Sequence, residues 1–156
     1  MISLYDFLNA ANGQLFGEPG AQLFTNFCLD PYLANESTLF VALPMARGST
    51  HQYIEEAIQR GAGGVVCTQP PDVETDGVSV VMVRDPFDAM MAWSKYVLQK
   101  YRPHIVAIGG SSAKSVTAKA VAYLLGQNHE VHCGDVEVNG LLNIPLSLAS
   151  MRPDDD

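Results

Sequence analysis

Short apolar runs rich in β-branched residues alternate along this chain with stretches of helical periodicity, and no other feature restricts the fold as much. The runs lie at residues 22–29, 38–43, 64–68, 78–83, 104–108 and 130–133. Each is too short for a helix and is bounded by Gly, Pro, Asp or Asn, as strands are. Helical patterns occupy residues 2–11, 51–60, 85–101, 114–125 and 144–151. Strands interleaved with helices imply an α/β fold, with helices covering the faces of a sheet.

Local signals sharpen several of these elements. Leu4, Phe7 and Leu8 share one face of the first helix, and Asn12-Gly13 ends it. Ser49 or Thr50 can cap the second, and Gln52 three residues after Ser49 completes a capping box. Asp85-Pro86 is a helix start, with Asp as the cap and Pro at the first helical position. In that helix Phe87, Met90, Met91, Ser94, Val97, Leu98 and Tyr101 form the expected core stripe, flanked by Trp93 and Tyr96. Pro103 then breaks the helix and marks an expected domain boundary. Gly126 ends the fourth helix, and Pro145 falls in the first turn of the fifth.

Composition narrows the functional classes. Apolar residues make up 47% and charged residues 17%, as in folded globules. No apolar run approaches the ~20 residues of a membrane span. The N-terminus has no basic segment ahead of an apolar core, so the expected compartment is the cytoplasm. A net charge of −8 argues against nucleic acid and anionic membranes as partners. A phosphate ligand would need local positive charge, and Lys100, Arg102, His104, Lys114 and Lys119 cluster in sequence. Cys28, Cys67 and Cys133 form no C-x-x-C pair and are expected as reduced thiols. His132 and Cys133 are adjacent on an expected strand and would point to opposite faces, which argues against a metal there.

Residues 105–117, Ile-Val-Ala-Ile-Gly-Gly-Ser-Ser-Ala-Lys-Ser-Val-Thr, concentrate the chemistry. A β-branched run enters a loop of small residues and continues into a helix. Gly109, Gly110, Ser111 and Ser112 can offer backbone N–H donors to a phosphate. Lys114 can offset its charge, and the Ser115 hydroxyl can reach Mg²⁺. The strict G-x-x-x-x-G-K-[ST] spacing is absent, and Ala113 stands before the Lys.

Four segments in order resemble the Mur ligases, ATP-dependent enzymes that add amino acids to UDP-N-acetylmuramoyl peptides. Asp30 followed by Leu39-Phe-Val-Ala-Leu43 is similar to the family's Asp-Ser-Arg and Leu-Phe-Val-Ala strand. Ser49-Thr-His-Gln-Tyr-Ile54 with Ala57-Ile-Gln-Arg-Gly-Ala62 resembles Asp-Gly-His-x-Phe-Ile with Ala-Ile-x-x-Gly-Ala. Residues 106–117 resemble the Val-Thr-Gly-Thr-Asn-Gly-Lys-Thr-Thr loop. Asn139 to Leu148, with Asn143-Ile-Pro-Leu146, resembles the Asn-Asn-x-Ile-Gly-Val-Pro-Leu segment of the central domain. The likeness is greatest to members adding a diaminoacid or D-Ala-D-Ala. Departures fall at family positions: Pro31 and Tyr32 replace Ser and Arg, Ser49-Thr50 replaces Asp-Gly, Gly109 replaces Thr, Ala113 replaces Gly, and Gly140 replaces one Asn.

The resemblance implies a Mur-ligase-like N-terminal α/β domain over residues 1–102. A truncated P-loop-type strand-loop-helix-strand unit over 103–156 would then begin the central ATP-binding domain. It implies UDP-sugar binding by Asp30, Arg47 and His51. It implies ATP-phosphate binding by Gly109, Gly110, Ser111, Ser112, Lys114 and Ser115, with Mg²⁺ reached through Ser115. In the family, ATP phosphorylates a substrate carboxylate and an amino group then displaces the phosphate. No catalytic residue is assigned, and the short chain is not expected to be catalytically complete. The alternatives are a degenerate, non-catalytic scaffold or regulatory module and, ranked last, an unrelated P-loop ATPase or kinase. Apolar surface around residues 120–150 predicts homodimerisation or packing against residues 1–102.

Overall fold

A computed structural model describes residues 1–45, 48–134 and 140–152 of the chain. In order the elements are β1 (Ile2–Ser3), α1 (Leu4–Ala11), β2 (Gln14–Phe16), β3 (Leu23–Phe24), β4 (Asn26–Cys28), β5 (Thr38–Val41), β6 (Pro44–Met45), β7 (Gly48–Ser49), α2 (Ile54–Gln59), β8 (Gly64–Cys67), β9 (Ser79–Met82), α3 (Pro86–Tyr101), α4 (Lys114–Leu125) and α5 (Asn143–Ala149). Single 3-10 turns at Pro31–Leu33 and Thr50–Tyr53 follow β4 and precede α2.

The central sheet runs β2-β9-β8-β5-β4. Strands β4, β5, β8 and β9 are parallel, and β2 joins the edge antiparallel to β9. Every residue of β5 and β8 is buried, as expected of parallel strands covered on both faces. Alternation along them splits the interior in two. Leu39, Val41, Val66 and Val81 point into a core shared with α1, α3 and α5. Phe40, Val65, Cys67 and Val80 point into a core shared with α2. The result is a three-layer α/β sandwich.

Helix α3 organises the larger core. Asp85 caps it by accepting from the Phe87 and Asp88 amides at 2.7 and 3.1 Å. Its buried face is Pro86, Ala89, Met90, Trp93, Ser94 and Val97. Trp93 therefore sits inside the stripe instead of flanking it, while Met91 and Leu98 are only half-buried. The Trp93 ring meets Phe7 edge-on, with centroids 6.1 Å apart, and Phe7 in turn meets Phe27 at 5.6 Å. At the far end of α3, Lys100 bonds to Asp6 at 2.9 Å and to the Tyr96 hydroxyl at 3.0 Å, joining α3 to α1. These bonds push the Lys100 ammonium pKa up, and the bond from Lys100 lowers that of Asp6.

Several expectations are corrected. The run at 22–29 is not one strand. The Thr25 amide and hydroxyl both bond to the Ser37 carbonyl, at 2.7 and 3.1 Å, and the chain steps between sheets there. Leu23–Phe24 pairs with β1, whereas Asn26–Cys28 enters the central sheet. The capping box expected at Ser49 and Gln52 rests on the Ser49 side chain, which lies outside what the structure describes; the neighbouring Thr50 makes a lock of its own. The Thr50 hydroxyl accepts from the Leu43 amide at 2.6 Å and donates to the Leu43 carbonyl at 3.1 Å. The helix proper starts at Ile54 without a side-chain cap.

The expected strands at 104–108 and 130–133 form no ladder among the described residues. A strand exists only where a neighbour satisfies its backbone groups, and neither run has one among the described residues. Ile105 and Val106 are correspondingly exposed, at 67% and 61%. Helix α4 does form, yet none of its residues is buried. Helix α5 instead packs on α3 and β4, with Ala149 and Met151 inside the larger core. The N-terminal ammonium of Met1 donates to the Met151 carbonyl at 2.7 Å. His132 Nε2 lies 2.8 Å from the Ser147 carbonyl and donates to it, tying the preceding segment to α5. The apolar surface of 120–150 is thus partly resolved by packing against residues 1–102.

Candidate functional site

Parallel strands place their carboxyl ends on one edge of a sheet, and the loops leaving that edge are where α/β folds bind ligands. Asp30 lies just beyond the end of β4, and His51 lies in the 3-10 turn that follows β5, β6 and β7. Since β4 and β5 are neighbours, the fold brings both to one part of the edge. Arg47 and Asn139 lie outside the described residues.

Each side chain there has a local role. The Asp30 carboxylate accepts from the Tyr32 amide at 2.9 Å and caps the 3-10 turn, while the Cys28 thiol donates to the Asp30 carbonyl at 2.9 Å. Burial pushes the Cys28 thiol pKa up. His51 is half-buried at the start of its turn, which the Thr50–Leu43 bonds hold rigidly. Tyr32, which stands where the resemblance sets an Arg, packs elsewhere. Its ring lies 4.1 Å from the Arg60 guanidinium at the end of α2, which bonds to Glu56 at 3.1 and 3.2 Å. It supplies neither the charge nor the direction of an Arg at that position.

The phosphate-type loop has a distinct backbone. Ala113 adopts left-handed geometry, φ 59 and ψ 10, and Gly110 lies at φ 147. No side chain caps α4 at Ala113, so the first-turn N–H groups of a 12-residue helix remain available. The Lys114 ammonium folds back over the loop and donates to the Gly110 carbonyl at 2.7 Å. The Thr117 hydroxyl donates to the Ala113 carbonyl at 3.0 Å. Gly109, Gly110, Ser111, Ser112, Lys114 and Ser115 are all exposed. Open N–H groups, an ammonium and a hydroxyl at one helix start suit a polyphosphate and its cation. The expected cationic cluster is smaller than the sequence implies, because Lys100 is engaged with Asp6 and Tyr96.

The same carboxyl edge holds a group that sequence reasoning missed. Asn12, Gln14, Thr68 and Arg84, with Met82 and Val83, line an open depression where β2, β9 and β8 meet. These residues belong to three separate segments, and only the sheet order makes them neighbours. Among the described residues no cluster of His, Cys, Asp or Glu could hold a metal.

Comparison with known proteins supplies the class. No family model matches the chain. The UDP-N-acetylmuramoyl-tripeptide–D-alanyl-D-alanine ligase of Rickettsia prowazekii is 30% identical over 116 residues, 74% of this chain and 25% of that protein. The crystal structure of MurF from Acinetobacter baumannii superposes with a TM-score of 0.84 at 20% identity, over 98% of this chain and 33% of that one. The structure of MurF ligase from Thermotoga maritima in complex with ADP gives a TM-score of 0.63 at 26% identity, over 80% of this chain and 28% of that one. In sequence and in fold, the relatives of this chain are Mur ligases. The chain spans between a quarter and a third of the length of these relatives.

Proposed function

We propose that this chain carries the muramoyl-peptide-recognition part and the nucleotide loop of an ATP-dependent ligase. Residues 1–102 hold the UDP-sugar at the carboxyl edge beside Asp30 and His51, and residues 103–156 begin the ATP-binding domain. The observation that carries the reading is the loop ahead of α4, where the Lys114 ammonium lies 2.7 Å from the Gly110 carbonyl above an uncapped helix start.

Bound ATP with Mg²⁺ would supply the phosphoryl group that activates a substrate carboxylate. The chain's own part is positioning and charge compensation. Lys114 would hold a phosphate oxygen in place of its bond to Gly110. Amides of Gly109 to Ser112 would hold the phosphates, and the Ser115 hydroxyl would help to hold the cation. Calorimetry with Mg²⁺-ATP and with UDP-N-acetylmuramoyl tripeptide tests the reading. Heat of binding for both is expected; none for either, in a folded sample, would sink it.

A non-catalytic scaffold is the second reading, favoured by Ala113 in a conformation that suits glycine and by Tyr32 turned away from the edge. It predicts that Lys114→Ala leaves the cellular phenotype intact while surface changes abolish it. Measurable ATP turnover would count against it.

A further inference from the structure

The depression between β2, β9 and β8 has the make-up of an anion subsite. Asn12 and Gln14 flank the turn between α1 and β2, Thr68 follows β8, and Arg84 follows β9. A Cβ on Gly13 would come within 3.2 Å of methyl groups on Val81 and Val83, so glycine lets this turn lie against β9. None of the four polar side chains bonds to another described residue. The adjoining carboxylate, Asp85, is committed to the amides of Phe87 and Asp88 and leaves the Arg84 guanidinium uncompensated. In a chain of net charge −8, an exposed Arg beside a depression whose lining also includes Asn12, Gln14 and Thr68 suits an anion.

We infer that this depression binds a small molecule through a carboxylate or phosphate group. Arg84 supplies the charge, and Thr68, Gln14 and Asn12 supply hydrogen bonds. The site lies toward the β2 end of the carboxyl edge, whereas Asp30 and His51 lie toward the β4 end. It is also separate from the Lys114 loop, so it stands or falls independently of the nucleotide.

Nuclear magnetic resonance on the full chain tests it, with inorganic phosphate and acetate titrated separately at constant ionic strength. Saturable shifts are expected at the Arg84 Nε–H and the Asn12 and Gln14 carboxamides, in the roughly millimolar range. The tighter of the two anions identifies the ligand group. Arg84→Gln is expected to weaken the affinity read at the Asn12 and Gln14 carboxamides about tenfold, since a charge-assisted bond is lost. Any phosphate response at Gly110 and Ser111 reports the other loop and should survive that substitution. Arg84 is exposed, so the variant should fold. Absence of saturable shifts with both anions, or shifts unchanged in Arg84→Gln, would overturn the assignment.

Discussion

At the scale of single residues, Ala113 is the position in the proposed nucleotide loop where backbone strain bears on binding. Its left-handed backbone costs an L-residue roughly 1–2 kcal/mol, which glycine avoids. Ala113→Gly should therefore tighten Mg²⁺-ATP binding by about tenfold, as 1.4 kcal/mol corresponds to one decade. Calorimetry on the variant checks this, and unchanged affinity would mean that the strain is not coupled to phosphate. The thiols give a second test. Burial pushes the Cys67 thiol pKa up to about 11, while Cys133 is exposed. At pH 8 only about one Cys67 in a thousand is thiolate, a fraction that rises about tenfold per pH unit until the pH nears 11. Mass spectrometry after brief alkylation at pH 8 should find Cys133 modified and Cys67 intact until the protein unfolds. Asp30 and His51 were legible as candidates from local motifs. Arg84 and Thr68 were not, because only strand pairing makes them neighbours.

At the scale of elements, α3 holds the larger core together, and Trp93 is its largest buried side chain. The Trp93 Nε1–H finds no hydrogen-bond partner among the described residues. Trp93→Ala should cost about 3–5 kcal/mol through the cavity it leaves. Trp93→Phe should cost clearly less, because it also removes the unsatisfied donor. Urea denaturation of the two variants measures the difference, and equal losses would mean that an aromatic ring at this position does not fill the larger core. The interior strands β5, β8 and β9 were legible because fully buried parallel strands read as continuous apolar runs. Edge strand β2 was missed, since Gln14-Leu-Phe16 is short and largely exposed. The break at Thr25 depends on a bond to Ser37, twelve residues away, which no local pattern encodes. Residues 104–108 carry a strand composition but lack a strand partner among the described residues.

At the scale of the whole molecule, the chain is a closed sandwich bearing an uncovered helix. The sheet and its two cores bury their apolar residues, while Val116, Tyr123 and Leu124 on α4 remain 72%, 75% and 64% exposed. Opening free energy follows burial, so α4 amides should exchange with solvent about a hundredfold faster than those of β5, β8 and β9. Hydrogen-exchange mass spectrometry checks this, and equal protection would show that α4 is covered in solution. The α/β class and the Mur-like order of segments were legible from sequence. Packing of residues 120–150 against residues 1–102 was one of two expected outcomes, but the surfaces α5 meets, α3 and β4, were not legible, nor was the bond joining Met1 to Met151 across the length of the chain.

The most direct test of the account is where a muramoyl peptide lands. Amide shifts of the full chain titrated with UDP-N-acetylmuramoyl tripeptide would locate it. The account predicts saturable changes centred on Asp30 and on the turn containing His51, with α3 and the amino-end loops of the sheet undisturbed. Saturation with changes elsewhere, or no response at all in a folded sample, would contradict it.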